Sequence, residues 1–220
     1  MRAVIFANGR FEEVHQARDL LRAGDLIIAV DGGTRHAWEA GVDPQLVIGD
    51  LDSLAPEERK RLDASGAEIS RFSTKKDRTD LELALLHAVA NGADEILVLA
   101  ALGGRLDQTV ANLLLLTLPE IADCDVRIVQ RAQTAFVIRH EALIEGQPGD
   151  TVSLIPLAGD VAGVTTKGLE WTLEDETLAF GPARGVSNVL KVRQGSVCVR
   201  QGLLLCVVTH ALDAKEAEDQ

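Results

Sequence analysis

Short apolar runs alternate with stretches of helical character over the first part of the chain. The strand candidates, most of them apolar runs, cover residues 3–7, 26–30, 46–48, 67–72, 95–102 and 126–130. The stretches of helical character cover residues 11–23, 34–40, 56–65, 79–90 and 107–117. Unbroken apolar strands separated by helices are typical of a parallel sheet that is covered on both faces. The pattern therefore predicts a Rossmann-like α/β domain over residues 1–140.

The hydrophobic pattern changes near residue 140. From there to residue 208 no helical period persists, and short strand-like runs recur between glycines. These runs cover residues 151–157, 161–165, 169–173, 189–192, 196–199 and 203–208. Evenly spaced short strands with glycine turns are typical of a β-sandwich. We therefore predict a smaller all-β sandwich domain over residues 141–212, followed by an acidic tail over residues 213–220.

Polar and glycine-containing turns follow the ends of the predicted strands in the first domain. They are Asn8-Gly9, Asp31-Gly32-Gly33, Gly49-Asp50-Leu51-Asp52 and Gly103-Gly104-Arg105. In open α/β sheets, ligands bind at the edge where the strands end. The recurrence of these turns therefore predicts that they form one site.

Asp50 and Asp52 stand directly after the apolar run 46–48. Two carboxylates at positions i and i+2 past a strand end project two negative charges into one small space, where they repel. A hard cation such as Mg²⁺ relieves that repulsion, because it takes oxygen ligands and is commonly bound by one or two carboxylates, waters and substrate phosphates. The alternative interpretation is a polar turn in which the two side chains cap backbone amides.

Further charged residues are expected at the same edge of the sheet. The acids are Asp31, Asp77, Asp80 and Asp107, and the bases are Lys75, Lys76, Arg78 and Arg105. Acids that hold Mg²⁺, with bases and glycine amides that bind phosphate oxygens, suit a metal–nucleotide complex. Plainer interpretations stay open, since Asp80 complements the dipole of a helix that Thr79 or Asp77 caps. The lysines could equally form a solvated pair.

Composition restricts the class of protein. The chain has 220 residues, of which 46% are hydrophobic, and a formal net charge of −12. This charge argues against a general nucleic-acid-binding protein, which needs a basic surface. The three cysteines have no C-x-x-C spacing, so we expect reduced thiols rather than a disulfide framework or a zinc site. No signal peptide or membrane-spanning run is evident, and the protein is expected to be soluble and cytoplasmic.

Five motifs together resemble those of thiamine pyrophosphokinases. They are Asp31-Gly-Gly33, Gly49-Asp-Leu-Asp-Ser53, Lys76-Asp-Arg-Thr-Asp80 with Glu82, Gly103-Gly-Arg-Leu-Asp107 with Asn112, and Gly185-Val-Ser-Asn188. They occur in the order and spacing of that family, and Gly168-Leu-Glu-Trp-Thr-Leu173 adds to the likeness in the β domain. The resemblance covers the chain from the first strand to about residue 208.

The resemblance implies a reaction and its participants. The pyrophosphoryl group of ATP would pass to the hydroxyethyl oxygen of thiamine, with AMP leaving and thiamine diphosphate formed. The resemblance also implies Mg²⁺ as cofactor, ATP as co-substrate, and a homodimer that holds thiamine between one subunit's α/β domain and the partner's β domain. Neither a nucleic acid nor a membrane is expected as a partner.

Roles for single residues also follow from the resemblance, by position. Asp50, Asp52 and Asp77 would surround Mg²⁺ and the phosphates with support from Asp80, so these four are the expected catalytic residues. The expected nucleotide-binding residues are Asp31, Gly32, Gly33, Lys76, Thr79, Gly104, Arg105 and Asp107. The expected thiamine-binding residues are Trp171, Ser187 and Asn188.

The chain departs from the family pattern at three places. Thr34-Arg35 stands where the family often has Ala followed by a small or polar residue, Gln108 replaces a frequent His, and Val189 replaces an acid that often follows the Ser-Asn pair. These positions flank the carboxylates without removing any of them. Two alternative functions stay open: a pyrophosphokinase of the same fold that acts on another heterocyclic alcohol, such as a hydroxymethylpterin, and a non-catalytic sensor of thiamine or a nucleotide.

Overall fold

A computed structural model describes residues 1–12, 14–71 and 78–211 of the chain. The chain divides into two compact units, Met1–Arg131 and Ala132–Gln220. Lys76 and Asp77, both expected in the site, and the predicted tail over residues 213–220 lie outside the described residues. Within the described ranges, no helix has both the length and the apolar character needed to cross a bilayer.

The strands of the first unit form a parallel sheet, as predicted. They are β1 (Arg2–Phe6), β2 (Leu26–Val30), β3 (Leu46–Ile48), β4 (Glu68–Ser70), β5 (Glu95–Leu99) and β6 (Asp125–Gln130). Their order is β6-β5-β1-β2-β3-β4, and every adjacent pair is parallel. Successive side chains of a strand point to opposite faces, and both Ile27 and Ile28 of β2 are buried. Both faces of the sheet are therefore covered, which explains the unbroken apolar runs.

Among the described residues, five α-helices and one short 3-10 helix connect these strands. They are α1 (Val14–Leu20), α2 (Gly33–Glu39), α3 (Pro56–Ser65), α4 (Asp80–Ala90), α5 (Leu106–Leu115) and the 3-10 helix Pro119–Ile121. The predicted start of α4 is confirmed, because the Thr79 side chain accepts a hydrogen bond from the Glu82 amide at 3.2 Å. Its predicted apolar face, Leu81, Ala84, Leu85 and Ala88, is buried. Helices α2 and α4 both contact the central strands β1 and β2.

The described part of the second unit consists of β-strands and turns. The strands are β7 (Gln133–Ile138), β8 (Glu141–Glu145), β9 (Thr151–Pro156), β10 (Val161–Lys167), β11 (Glu176–Leu178), β12 (Asn188–Val189), β13 (Gln194–Cys198) and β14 (Leu204–Thr209). They pair antiparallel in the orders β12-β9-β14-β7 and β11-β10-β13-β8. One apolar core contains side chains of both sheets, among them Phe136, Leu154, Val164 and Val197. Two sheets around one core make the predicted β-sandwich.

The observed division between the units lies at residue 131, earlier than the boundary predicted at residue 140. The reason is β7, which pairs along its whole length with β14 and so belongs to the sandwich. The hydrophobic pattern did not predict β7 or β8. In β8 only Ile144 is buried, and β7 begins with two polar residues, so its apolar run is only four residues long.

Candidate active site

The turn after β2 is built for close packing. Asp31 has a positive φ of 46°, which is uncommon for a residue with a side chain, and its amide donates to the Ile48 carbonyl at 3.0 Å. A Cβ at position 33 would overlap the Phe6 carbonyl, and one at position 32 would overlap the Asn8 side chain. The two glycines therefore let α2 begin directly against the end of β1.

The Asp31 carboxylate lies against the backbone of the next strand end. A Cβ at Gly49, whose φ is 146°, would overlap Asp31 Oδ1, so only glycine leaves room for this oxygen. Oδ1 is buried and has no hydrogen-bond partner among the described residues. Burial, followed by the negative charges of Asp80 and Asp50, raises the pKa of Asp31 from 3.8 to about 6. Carboxylates from three separate turns thus act on one another.

The residues 50–52 turn shows the polar cap that the sequence offered as one interpretation. Asp50 Oδ1 accepts a hydrogen bond from the Asp52 amide at 2.9 Å, which is the predicted polar cap. The Asp50 backbone amide in turn donates to Asp31. Asp52 is exposed, and its Oδ1 lies 3.8 Å from Arg59 Nη2. The cap engages one oxygen of Asp50, so it does not conflict with a second role for this carboxylate.

The donor chemistry of this cluster suits a hard divalent cation. A bound cation would relieve the repulsion among the carboxylates, and it would give the buried Asp31 Oδ1 a partner. Within the described residues, however, no three acidic, histidine or cysteine side chains are arranged to hold a metal ion. Asp77, one of the three expected ligands, lies outside that part of the chain.

Arg105 and Asp107, both expected near the nucleotide, bond to each other. Arg105 Nε donates to Asp107 Oδ1 at 3.1 Å, and this pairing lowers the pKa of Asp107. Gly103 and Gly104 precede them with φ of 86° and 87°, a conformation that favours glycine. The buried Asn112 donates to the Ala101 carbonyl at 2.7 Å and so fastens α5 to the end of β5.

In the second unit, the Asn188 side chain forms two hydrogen bonds with the backbone of Trp171. Asn188 Nδ2 donates to the Trp171 carbonyl at 2.7 Å, and Oδ1 accepts from the Trp171 amide at 3.1 Å. Asn188 is buried, whereas Trp171 is 59% exposed. Ser187 adopts a positive φ of 64°, and its amide donates to Ser153 Oγ. The Asn188 amide group is thus largely occupied by protein, and the free aromatic surface belongs to Trp171.

Sequence reasoning missed three charged residues around the residues 50–52 turn: Arg35, Glu58 and Arg59. Arg35 forms a forked ion pair with Glu58, with N–O distances of 2.6 and 2.8 Å, and Arg59 donates to the Leu51 carbonyl at 2.7 Å. The pKa of Glu58 is lowered to about 2, first by its hydrogen bond with Arg35. The only signal in the sequence was the departure from the family pattern at Arg35.

Comparison with known proteins identifies the family. A model described as "Thiamin pyrophosphokinase, catalytic domain" matches residues 17–128, and one described as "Thiamin pyrophosphokinase, vitamin B1 binding domain" matches residues 138–204. The chain belongs to the thiamine pyrophosphokinase family. The catalytic-domain match includes Asp31, Asp50 and Asp80, and the vitamin B1 match includes Trp171 and Asn188.

Individual thiamine pyrophosphokinases agree with this assignment. The Bacillus subtilis enzyme is 27% identical over 184 residues, which cover 83% of this chain and 86% of the relative. Thiamine pyrophosphokinase 1 of Oryza sativa subsp. japonica is 32% identical over 67% of this chain and 60% of its own length. The solved Bacillus subtilis structure superposes with a TM-score of 0.87 at 26% identity, over 96% of this chain and 100% of that chain. The Geobacillus thermodenitrificans structure gives a TM-score of 0.85 at 28% identity, over 97% of this chain and 99% of that chain.

Replacing Asp31 by asparagine should stabilise the metal-free protein at neutral pH. The folded-state pKa of Asp31 is raised, so between pH of about 4 and 6 the folded protein retains a proton that the unfolded chain releases. The contribution of this group to the free energy of unfolding therefore falls as pH rises through that range. With solvent screening, the gain from Asp31→Asn at pH 7.5 should be about 1 kcal/mol, or about 2–4 °C in Tm. Thermal unfolding at pH 5 and pH 7.5 measures it.

The control for Asp31 is Asp63→Asn, which removes an exposed carboxylate from α3. It should leave Tm nearly unchanged. A lower Tm for Asp31→Asn, or a gain of equal size at pH 5 and pH 7.5, would contradict the inferred repulsion.

Asn188→Ala should loosen Trp171 without unfolding the sandwich. The Trp171 backbone loses a donor and an acceptor, at a cost of about 1–3 kcal/mol. In a Trp38→Phe background, Trp171 is the remaining tryptophan, and its fluorescence anisotropy should fall. Thr166→Val is the matched control, because it removes the buried bond from the Leu173 amide to Thr166 Oγ1 at 2.9 Å. Equal anisotropy in both variants would show that Asn188 does not hold Trp171.

Proposed function

We propose that this protein is a thiamine pyrophosphokinase that transfers the pyrophosphoryl group of ATP to thiamine. The hydroxyethyl oxygen of thiamine forms a bond to the β-phosphorus, the bond from that phosphorus to the α,β-bridging oxygen breaks, and AMP leaves. The hydroxyl proton passes to a carboxylate of the acidic cluster. The observation that carries the proposal is the gathering of Asp31, Asp50 and Asp80 from separate turns.

The acidic cluster supports a role for Mg²⁺. Asp50, Asp52 and Asp77 are the residues proposed to hold it, and a bound Mg²⁺ supplies charge neutralisation on the triphosphate. Asp80 adds negative charge beside Asp31. The protein's own contribution is then to orient ATP and thiamine, and orientation of this kind can lower a barrier by about 7–11 kcal/mol.

The nucleotide and thiamine sites are proposed on separate elements. Gly32 and Gly33 at the start of α2, with Lys76, Thr79, Gly104, Arg105 and Asp107, are proposed to bind ATP. Trp171 is proposed as the aromatic wall for thiamine, since an exposed indole suits a flat pyrimidine and a cationic thiazolium. Ser187 and Asn188 are proposed to shape that wall. The vitamin B1 binding-domain match favours thiamine over a pterin alcohol, and the intact carboxylates favour an enzyme over a sensor.

The proposed setting is a cytoplasmic homodimer. The three cysteines are thiols, as is usual in a reducing compartment. Helix α5 presents exposed apolar side chains at Leu106, Val110 and Leu114, which are 78%, 49% and 46% exposed. The i, i+4, i+8 spacing aligns them on one helix face. An apolar stripe of this kind supports burial against a second copy of the chain.

The direct test of the reaction is release of AMP from ATP and Mg²⁺ upon addition of thiamine. AMP and thiamine diphosphate should form in equal amounts, and a hydroxymethylpterin in place of thiamine should yield neither product. AMP release that does not depend on thiamine would refute the proposal.

Asp50→Asn should lower turnover by about 10²–10³-fold, the effect of losing one electrostatic group at a reacting centre. The asparagine oxygen can still accept the bond from the Asp52 amide, so the turn should keep its shape. Steady-state kinetics measure turnover, and Asp63→Asn is the control that removes a carboxylate without touching the cluster. Turnover within twofold of the unmodified protein would exclude Asp50 from catalysis.

Val110→Asp combined with Leu114→Asp should convert a homodimer into monomers. Two charges in the apolar stripe would be buried without partners in a dimer. Sedimentation velocity measures the mass, and Gln108→Glu, an added charge on the opposite face of α5, should leave the dimer intact. A mutant that remains dimeric would remove α5 from the interface.

A further inference from the structure

The turn that carries Asp50 and Asp52 needs external support. We call residues 49–55 the acidic loop. Leu51 has a positive φ of 61° although it carries a side chain, and that side chain is 1% exposed. Residues other than glycine occupy this conformation at a cost of about 1–2 kcal/mol, so the surrounding structure must stabilise it. Leu51 and Leu54 supply part of that support by packing with Val47 and Leu62.

Charged side chains bond to the backbone of the acidic loop at four peptide groups. Arg59 donates from Nη2 to the Leu51 carbonyl at 2.7 Å and from Nε to the Leu54 carbonyl at 3.2 Å. Arg35 Nη2 donates to the Ser53 carbonyl. Glu58 Oε2 accepts from the Ala55 amide at 2.6 Å. Three side chains thus bond to backbone groups of the loop, and the Leu51 carbonyl also accepts from the Leu54 amide at 3.0 Å.

The forked Arg35–Glu58 pair connects this support to the Asp31 turn. Arg35 lies on α2, which begins immediately after Asp31-Gly32, and Glu58 lies in the first turn of α3, which follows the acidic loop. The guanidinium is shared between Glu58 and the Ser53 carbonyl. A planar fork can hold two partners at once, whereas a lysine ammonium lacks that geometry.

We propose that Arg35, Glu58 and Arg59 are positioning residues, which fix the acidic loop so that Asp50 and Asp52 face Asp31 and Asp80 in the arrangement that binds a divalent cation. This inference rests on the proposed function and deepens it. Neither arginine needs to touch substrate or metal for this role.

A positioning role and a purely electrostatic role for Arg35 predict opposite changes in cation affinity when Arg35 is replaced by alanine. If Arg35 acted only as a positive charge near the carboxylates, Arg35→Ala would strengthen cation binding by removing repulsion, and Arg35→Lys would behave like the unmodified protein. If Arg35 holds the loop, both variants weaken cation binding, because lysine keeps the charge and loses the fork. Arg59→Lys makes the same distinction at the second arginine.

The experiment measures the affinity of the full chain for Mg²⁺ alone and Mn²⁺ alone by titration calorimetry. Amide hydrogen exchange over residues 46–55 is measured on the same variants without metal. The control is Lys60→Ala on α3, the helix that also carries Glu58 and Arg59. Lys60 Nζ pairs with Glu57 Oε1 at 2.9 Å and makes none of the bonds to the acidic loop described above. Glu58→Gln is a further variant that keeps the size of the side chain and removes its charge.

Positioning predicts that Arg35→Ala and Arg35→Lys each weaken Mg²⁺ binding by about 10-fold, the usual loss when a group that orients metal ligands is removed. Amide exchange in the acidic loop should accelerate in both variants and stay unchanged in Lys60→Ala. Unchanged or tighter Mg²⁺ binding in Arg35→Ala, normal binding in Arg35→Lys, or unchanged loop exchange would each overturn the inference. Absence of thiamine-dependent AMP release from the unmodified protein would instead overturn the proposed function, and the exchange comparison would still report on the loop.

Discussion

Repulsion among half-buried and exposed carboxylates at the ends of the strands is the constraint that the rest of the first unit must offset. Asp31 lies between the charges of Asp50 and Asp80, and its pKa is raised to about 6. A protein whose net stability is only about 5–15 kcal/mol keeps such an arrangement only where other contacts offset it. The contacts that do so here are the closely packed glycines, the apolar cluster beneath Leu51 and the arginine bonds to the acidic loop.

In the second unit, the large aromatic ring of Trp171 is exposed while its backbone is held in place by hydrogen bonds. The sandwich core buries its apolar residues from both sheets, and Trp171 stays outside that core. Its backbone is held because residues 169 and 190 pair as in a sheet and Asn188 extends the same ladder with its side chain. A side-chain amide can replace a strand partner because it has both a donor and an acceptor. For the thiamine site proposed above, a rigid backbone would limit the entropy lost when a flat ligand packs on the ring.

Much of the fold was predictable because its strands are buried on both faces. The runs that became β1, β2 and β3 are apolar without interruption, and those of β5 and β6 are mostly apolar. The cap of α4 has a local signature in Thr79 and Glu82. Strands β7 and β8 escaped prediction because the hydrophobic signal there is short: β7 has four apolar residues after two polar ones, and β8 buries only Ile144. The division between the units was placed too late for the same reason, since β7 was the strand that the pattern missed.

The candidate site was predictable where side chains follow strand ends and unpredictable where they act through the backbone. Asp31 and Asp50 follow β2 and β3, so topology alone brings them to one edge of the sheet. Arg35 and Arg59 bond instead to carbonyl oxygens of a turn, and carbonyl positions depend on φ and ψ, which sequence spacing does not determine. The same residues also place positive charge beside the acids, which would weaken cation binding if charge were their main contribution. Their contacts favour a structural contribution: both guanidinium groups donate to carbonyls of the loop, and the charge of Arg35 is paired with Glu58.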